Sequence, residues 1–231
     1  MFLANRYTHL LISLVALLVL SPFLLKAEMS FPIMSFLFLV IILLTLRALE
    51  MKESTFLIIA ILATLAFLLE VFFNFHIFRV DRKLISIISL SSFAIFIGIS
   101  ILIMINNIFS QKIVNADSVR GGISVYLLIG LLWGILYEIV AVIDPKAFVL
   151  VTGSIVGGDF RYLLFYLSFT TLTTVAFGDI LPANEIARVL AAMEATSGVL
   201  FVAVFVAQLV SLHVFHKTVA KQSVQPQPKG E

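Results

Sequence analysis

The chain has 231 residues, of which 61% are hydrophobic and only 12% are charged, and its mean hydropathy is +1.16. A soluble domain carries roughly twice this charged fraction, so the composition excludes a water-soluble globular protein and predicts an integral membrane protein. The formal net charge of +2 gives no reason to expect nucleic acid as a partner. The absence of cysteine excludes disulfides, thiolate metal sites and cysteine nucleophiles.

Six apolar runs are long enough to cross, as helices, a hydrocarbon core of about 30 Å. A spanning segment must be helical because lipid cannot satisfy free backbone groups. No signal-peptide cleavage is expected after the first run, since no A-x-A site follows it. The six predicted helices are Leu10–Leu25, Phe31–Leu49, Thr55–Phe75, Leu84–Ile108, Ile123–Ile143 and Arg188–His213.

The stretch between predicted helices five and six differs from the other links. Its segment Phe160–Leu172 is aromatic and apolar but too short to span, which is typical of a re-entrant segment, and Asp159 is placed to cap its first turn. We therefore predict an all-α membrane protein with six transmembrane helices and a re-entrant pore helix and filter loop between helices five and six.

The loop is expected within Thr170–Pro182, which reads TTLTTVAFGDILP. An ion filter replaces the water shell of a cation with backbone carbonyl groups, so several consecutive carbonyls must point at one axis. That arrangement needs a backbone alternating between left- and right-handed conformations, which glycine tolerates best. Four copies around an axis would close the cage, and one loop per chain therefore predicts a homotetrameric pore.

The residues Thr173–Asp179, followed by Pro182, resemble the potassium-channel signature T-T-V-G-Y-G-D-x-x-P. The resemblance covers Gly121–His216 and is similar to the two-helix pore domain of many bacterial ion-channel proteins, which implies a bacterial inner membrane. It implies ion-binding positions in the filter at Thr174, Val175, Ala176, Phe177 and Gly178. It implies filter support from Thr173 and Asp179, and K⁺ as the permeating ion.

Arg188 and Gly198 stand ten residues apart, as the outer arginine and the hinge glycine often do in this family. The resemblance implies Gly198 as a gating hinge, and close helix packing is the alternative interpretation of this glycine.

Two filter positions depart from the signature. Phe177 replaces a tyrosine whose hydroxyl usually bonds to the surrounding pore helices. Ala176 replaces a glycine, and if its φ must be positive, alanine costs roughly 1–2 kcal/mol per subunit. A weakly selective cation channel, passing Na⁺ as well, or a non-conducting one, is therefore an alternative to a K⁺ channel.

Glu138 and Glu194 place carboxyl groups inside predicted helices five and six. Such groups are costly in a membrane and usually face protein or water. One interpretation is that they hold the two helices or the pore helix by hydrogen bonds. The other is that Glu194 lies behind the filter and controls its stability; both residues are predicted to support the filter.

Residues 1–120 form a predicted four-helix region in the place of a voltage sensor. The fourth helix of a sensor carries basic residues at every third position, whereas Leu84–Ile108 carries none. We expect weak or no voltage gating and a structural or lipid-facing collar.

Lysines and arginines are almost equally divided between the two sides and do not orient the chain. Because a potassium-type filter opens outward, helix five must run outward, and four preceding helices then put both termini in the cytoplasm. The pore domain is predicted over residues 121–216, and the polar tail 217–231 is expected to be disordered.

The resulting hypothesis is a passive, multi-pass ion-channel subunit in the cell membrane. It needs no cofactor, catalyses no reaction and has no soluble ligand domain. The alternative from a different class is a membrane transporter with a re-entrant loop. Transporters tend to contain internal repeats with paired broken helices, whereas this chain shows one re-entrant segment.

Overall fold

The computed structural model describes residues 6–24, 82–110, 116–151 and 160–224, with the isolated positions 36, 39–41, 43–45, 57, 60–61 and 64. In the first and last helices, side chains are described for Tyr7–Leu20 and as far as Gln208.

Five helices and two short strands make up the described architecture. They are α1 (Arg6–Leu24), α2 (Arg82–Phe109), α3 (Ala116–Ile143), β1 (Phe148–Leu150), α4 (Phe160–Leu172), β2 (Ile180–Pro182) and α5 (Glu185–Val224).

Helices are confirmed for the first, fourth, fifth and sixth predicted spans, and α4 covers the same residues as the predicted re-entrant helix. Within the described residues, three helical segments are long and apolar enough to cross a membrane: Lys83–Phe109, Ala116–Ile143 and Glu185–Gln208. The second and third predicted spans lie largely outside the described residues, so the six-helix topology stays a prediction.

Two features differ from the sequence-based expectation. The fold is not purely α-helical, because β1 and β2 form an antiparallel pair with Val149 opposite Leu181. This ladder satisfies backbone groups at the two ends of the re-entrant segment, which helices alone would leave open. The last helix also continues to Val224, so the first part of the predicted tail is helical, and residues 225–231 lie outside the described residues.

Helix α3 is the centre of the fold and contacts α1, α2, α4 and α5. Helix α1 faces it with buried residues spaced three or four apart, and α2 does the same, so each presents one apolar stripe. The buried residues are Tyr7, Leu10, Leu14 and Leu17 in α1, and Ile97, Ile101, Met104 and Ile108 in α2. The opposite face of α2 is apolar and exposed, at Leu84, Ile88, Ile95, Ile99 and Leu102.

The first turn of α2 is fixed to the last turn of α3. Lys83 Nζ donates to the carbonyl oxygen of Ile143 at 2.9 Å, so the two helices form an antiparallel hairpin. A positive charge at a helix C-terminus also interacts favourably with the helix dipole. The basic side chain of Lys83 is thus bound to the end of α3.

Helix α4 packs against α3 through aromatic rings set on glycines. A Cβ atom built at Gly134 would lie 2.4 Å from the ring of Phe165, and one built at Gly130 would lie 2.6 Å from that of Phe169. Both pairs are four residues apart on their helices, so the rings and glycines form matching stripes. Because these two glycines have no side chain, α4 can lie close to the backbone of α3.

Helix α5 faces α3 and α4 along one stripe. Ala187, Glu194 and Gly198 are buried, and Phe201 and Phe205 are half-buried. A Cβ atom at Gly122 would lie 1.9 Å from the Phe205 ring, which therefore rests on the α3 backbone. Most other apolar side chains of α5 are exposed in the single chain, among them Val189, Met193, Val199, Leu200, Val202, Val204 and Val206.

The ends of the re-entrant segment are closed by the strand pair and by a polar link. Asn184 caps α5, because its Oδ1 accepts from the Ala187 amide at 2.8 Å. Its Nδ2 donates to Asp144 Oδ2 at 2.8 Å, which joins the end of α3 to the start of α5.

The glycine contact between α3 and α4 gives a stability prediction. Gly134→Ala forces the Phe165 ring to move, which costs roughly 1–3 kcal/mol and should lower the Tm of the purified protein by roughly 2–12 °C. Gly98→Ala is the matched control: a Cβ there meets nothing within 4 Å, so it should leave Tm unchanged or raise it. An equal loss for both variants would contradict the proposed packing.

The Asp144 link gives a pH prediction. The hydrogen bond from Asn184, then the Lys146 amide and the charges of Lys146 and Lys83, lower the pKa of Asp144. The stabilisation is present above the ordinary aspartate pKa of about 4 and is lost as the pH falls through the lower folded-state value. Asp144→Asn and Asn184→Ala should therefore both flatten the acid decline of Tm below about pH 4; an unchanged slope would contradict this role.

Candidate functional site: the loop between α4 and β2

The loop Thr173–Asp179 has an alternating backbone. Thr174, Ala176 and Gly178 have φ values of +60°, +41° and +78°, whereas Val175 and Phe177 are not in the positive-φ region. In an ordinary strand successive carbonyl groups point to opposite sides, and a change of handedness at every second residue turns them toward the same side. This is the backbone conformation that a carbonyl-lined filter requires.

Ala176 has a left-handed backbone conformation. Glycine, which the potassium-channel signature has at this position, would adopt it without strain. Because the φ of Ala176 is positive, a conformational cost of roughly 1–2 kcal/mol applies to this alanine. Thr174 is also left-handed, as its φ of +60° shows. Such conformations persist only where the surrounding structure holds them.

The last turn of α4 holds the loop through its free carbonyl groups. The Thr170 carbonyl oxygen accepts from the amides of Val175 at 2.8 Å and Ala176 at 3.1 Å, and the Thr171 carbonyl accepts from Thr174 at 2.8 Å. Helix C-termini leave such carbonyls without intrahelical partners. The loop amides satisfy them, and the position of α4 therefore fixes the position of the loop.

The side chain of Thr173 supports the same junction. Its hydroxyl donates to the carbonyl oxygen of Phe169 at 2.7 Å, which extends the last helical turn by side-chain bonding. Thr173 thus lies at the start of the loop and is bonded to the last turn of α4; its support of a filter stays a prediction.

Two aromatic rings stand beside the loop. The Phe177 ring stacks on Tyr166 of α4, with centroids 6.3 Å apart and planes 5° from parallel. Burial, and then a hydrogen bond to the Asp179 carboxylate, raise the pKa of Tyr166. Stacking thus connects position 177 to α4, where the signature tyrosine would use its hydroxyl.

Asp179 lies where the loop enters β2. Its Oδ1 accepts from the Ile180 amide at 3.1 Å, and its carbonyl oxygen accepts from the Val151 amide at 2.9 Å. The end of the loop that leads into β2 is therefore attached to the strand pair, and the end that follows α4 is attached to that helix.

Glu194 is fully buried in α5 and bonds to both neighbouring helices. The Tyr137 hydroxyl of α3 donates to its Oε2, and the Ser168 hydroxyl oxygen of α4 lies 2.5 Å from its Oε1. Ser168 also donates to the Gly130 carbonyl oxygen of α3 at 2.7 Å. Glu194 thus contacts both α3 and α4, and its support of the filter stays a prediction.

Glu138 lies elsewhere and does not meet Glu194. Its Oε1 is 2.5 Å from Nε of Arg161, in the first turn of α4, and the carboxyl side chain is buried. The two glutamates hold different parts of the same short helix: Glu138 its start and Glu194 its middle.

Gly198 lies against the end of α4. A Cβ atom there would be 2.2 Å from the Leu172 carbonyl oxygen, to which the Tyr126 hydroxyl donates at 3.3 Å. Helix α5 runs through Gly198 without interruption. Close packing is therefore the contact that the structure shows at this glycine, and the hinge stays a prediction.

Several supporting residues were not predicted from the sequence. Tyr137 and Ser168 bind Glu194, and Trp133 Nε1 donates to Ser197 Oγ at 3.2 Å. The only sequence signal for Ser168 is a small hydroxyl side chain within an apolar helix, and this signal does not indicate its hydrogen-bond partner. No cluster of His, Cys, Asp and Glu that could hold a metal ion occurs among the described residues.

The Gly198 contact can be tested by a single methyl group. Gly198→Ala should displace the Leu172 carbonyl or separate α5 from α4, lowering Tm by roughly 2–12 °C as for other overpacked sites. Gly98→Ala provides the same chemical change without a neighbour. A Tm like that of the wild type, with altered ion flux alone, would favour the hinge.

The part of the chain that contains this loop matches a known protein family. Residues 123–214 match the family model described as "Ion channel", which covers most of α3, the whole of α4, the loop and the strand pair, and α5 as far as Val214. No curated protein and no solved structure matches the chain significantly. Residues 123–214 therefore form an ion-channel domain, and the match supports the resemblance of this region to the potassium-channel superfamily.

Proposed function

We propose that the chain is one subunit of a homotetrameric channel that conducts K⁺ passively across the cell membrane. The ions would pass along the backbone carbonyls of Thr174–Gly178, with the Thr174 hydroxyl at the inner end. The observation that carries the proposal is the left-handed backbone at every second residue, Thr174, Ala176 and Gly178. A loop in this conformation presents a row of carbonyl dipoles to a dehydrated cation.

Exposure within the single chain supports a tetramer. Phe177 is 70% exposed and Val175 54% exposed in the single chain. Apolar side chains of α5 such as Val199, Leu200 and Val202 are also exposed in the single chain. A cyclic arrangement of four chains places four loops around one axis and gives these surfaces partners.

The direction of α4 also suits a cation. Its C-terminus lies at the inner end of the loop, and a helix C-terminus carries a partial negative charge of about half an elementary charge. Four such ends would surround an ion before it enters the filter.

Ala176 supports the alternative of a weakly selective or mostly closed cation channel. Its strain of roughly 1–2 kcal/mol per subunit would total several kcal/mol in four copies, enough to favour a rearranged filter. A transporter is supported less, because the described residues contain a single re-entrant helix within an ion-channel domain.

The collar formed by α1 and α2 supports voltage-independent conduction. The interior of α2 from Leu84 to Ile108 has no basic residue, and Lys83 is bonded to α3. Little charge would move through the membrane field. The proposed activity is ion passage, with no chemical reaction and no cofactor.

The decisive experiment is single-channel recording of the purified full-length protein with K⁺ and Na⁺ on opposite sides of a bilayer. A reversal potential close to the K⁺ equilibrium value is expected. Equal permeability to both ions would remove the potassium assignment. Native mass measurement should give four chains, and a stable monomer would exclude a shared pore.

The filter alanine gives a direct prediction. Ala176→Gly relieves the left-handed strain and should raise K⁺ current or the K⁺/Na⁺ permeability ratio by on the order of tenfold, since 1.4 kcal/mol corresponds to tenfold. Ala183→Gly, just beyond the filter and outside the positive-φ region, is the matched control. Unchanged current and selectivity in Ala176→Gly would show that the filter accommodates alanine.

A further inference from the structure

The hydroxyl oxygen of Ser168 lies between two other oxygen atoms in a fully buried site. One is the Gly130 carbonyl oxygen at 2.7 Å, and the other is Glu194 Oε1 at 2.5 Å. Both distances are within the range of an O–H···O hydrogen bond. Ser168, Glu194 and Tyr137 all have 0% exposure, so the surrounding protein must provide every hydrogen bond that they make.

The number of available protons decides the state of this site. A serine hydroxyl has one proton, and a backbone carbonyl can only accept. If Ser168 donates to Gly130, the contact with Glu194 needs a proton from the carboxyl group. The Tyr137 proton is already committed to the other carboxyl oxygen, Oε2. With an ionised Glu194, the single Ser168 proton could serve either Gly130 or Glu194, and the other of these two short contacts would be left without a proton.

The charged surroundings lead to the same conclusion. The titratable groups that face Glu194 are the phenols of Tyr137 and, further away, Tyr126, both on α3, while α4 contributes the Ser168 hydroxyl. No cationic side chain among the described residues pairs with it. A buried carboxylate without a counter-charge is strongly disfavoured.

We infer that Glu194 is held as a neutral carboxylic acid, which donates to Ser168 and accepts from Tyr137. The bonds then run in one direction, from Tyr137 through Glu194 and Ser168 to the Gly130 carbonyl. Glu194 is a positioning residue: it fixes α4 one turn before Leu172, close to the carbonyls that hold the loop amides. Its effect on the filter rests on the proposed function, whereas its protonation does not.

Glu138 provides an internal comparison. It is a buried residue of α3, but it pairs with the Arg161 guanidinium. A carboxyl group beside a cation is stabilised in its ionised form. The fold therefore holds α4 by two buried glutamates in opposite charge states.

Infrared spectroscopy of the full-length protein in lipid bilayers tests the protonation state at neutral pH. A carbonyl stretching band of a protonated carboxylic acid is expected in the wild type. It should shift in D₂O, be lost in Glu194→Gln and persist in Glu138→Gln. Absence of any band that Glu194→Gln removes would overturn the inference, whether or not the protein conducts ions.

Thermal unfolding supplies a second, independent measurement. The glutamine amide can donate to Ser168 and accept from Tyr137, as the neutral acid does, so Glu194→Gln should stay within about 2 °C of the wild-type Tm. Glu194→Ala leaves the buried Tyr137 hydroxyl without its carboxyl acceptor and Ser168 with only its bond to Gly130, and it should lower Tm by roughly 5 °C or more. A glutamine variant as unstable as the alanine variant would overturn the neutral acid.

The effect on the filter is measured separately as the K⁺/Na⁺ permeability ratio. Glu194→Ala should reduce this ratio, and Glu194→Gln should restore it. Unchanged selectivity in the alanine variant would overturn the positioning role. A wild type that does not conduct would instead contradict the proposed function, and the infrared result would still decide the protonation state.

Discussion

The attachment of α4 is the constraint on which the rest of the pore domain depends. This helix has 13 residues, and a helix of that length is marginal on its own. It is held at its start by Arg161 and Glu138 and at its end by contact with Gly198, with Ser168 bonded to Glu194 between them. Its last carbonyls then fix the loop amides, so any movement of α4 displaces the loop.

The same attachment explains how a strained loop can persist. Ala176 and Thr174 occupy left-handed conformations that an isolated chain would avoid. Bonds to Thr170 and Thr171 hold the end of the loop that follows α4, and the strand pair holds Asp179 at the other end. Strain of this kind is retained where the surroundings determine the backbone from both sides, and such sites are often functional.

Helix α3 connects α4 to the other described helices by direct contacts. One side carries the glycines that receive Phe165 and Phe169, and other positions pack against α1 and α2. Buried aliphatic side chains form the second set of contacts, and the outward face of α2 remains apolar, as lipid contact requires. Helices α1 and α2 are therefore fixed to the ion-channel domain through α3.

The sequence alone determined the membrane class, four of the helices, the bounds of α4 and the position of the loop, because hydropathy, length and the TTVAFGD pattern are local properties. It also predicted a conformational cost for Ala176, but only if the φ of this residue is positive. That φ is set by the hydrogen bonds to Thr170, which the sequence does not show. The tertiary structure decided which glutamate has a cationic partner, what Gly198 touches and that two strands close the loop. These depend on the rotation and depth at which helices pack, which residue spacing along one chain does not specify.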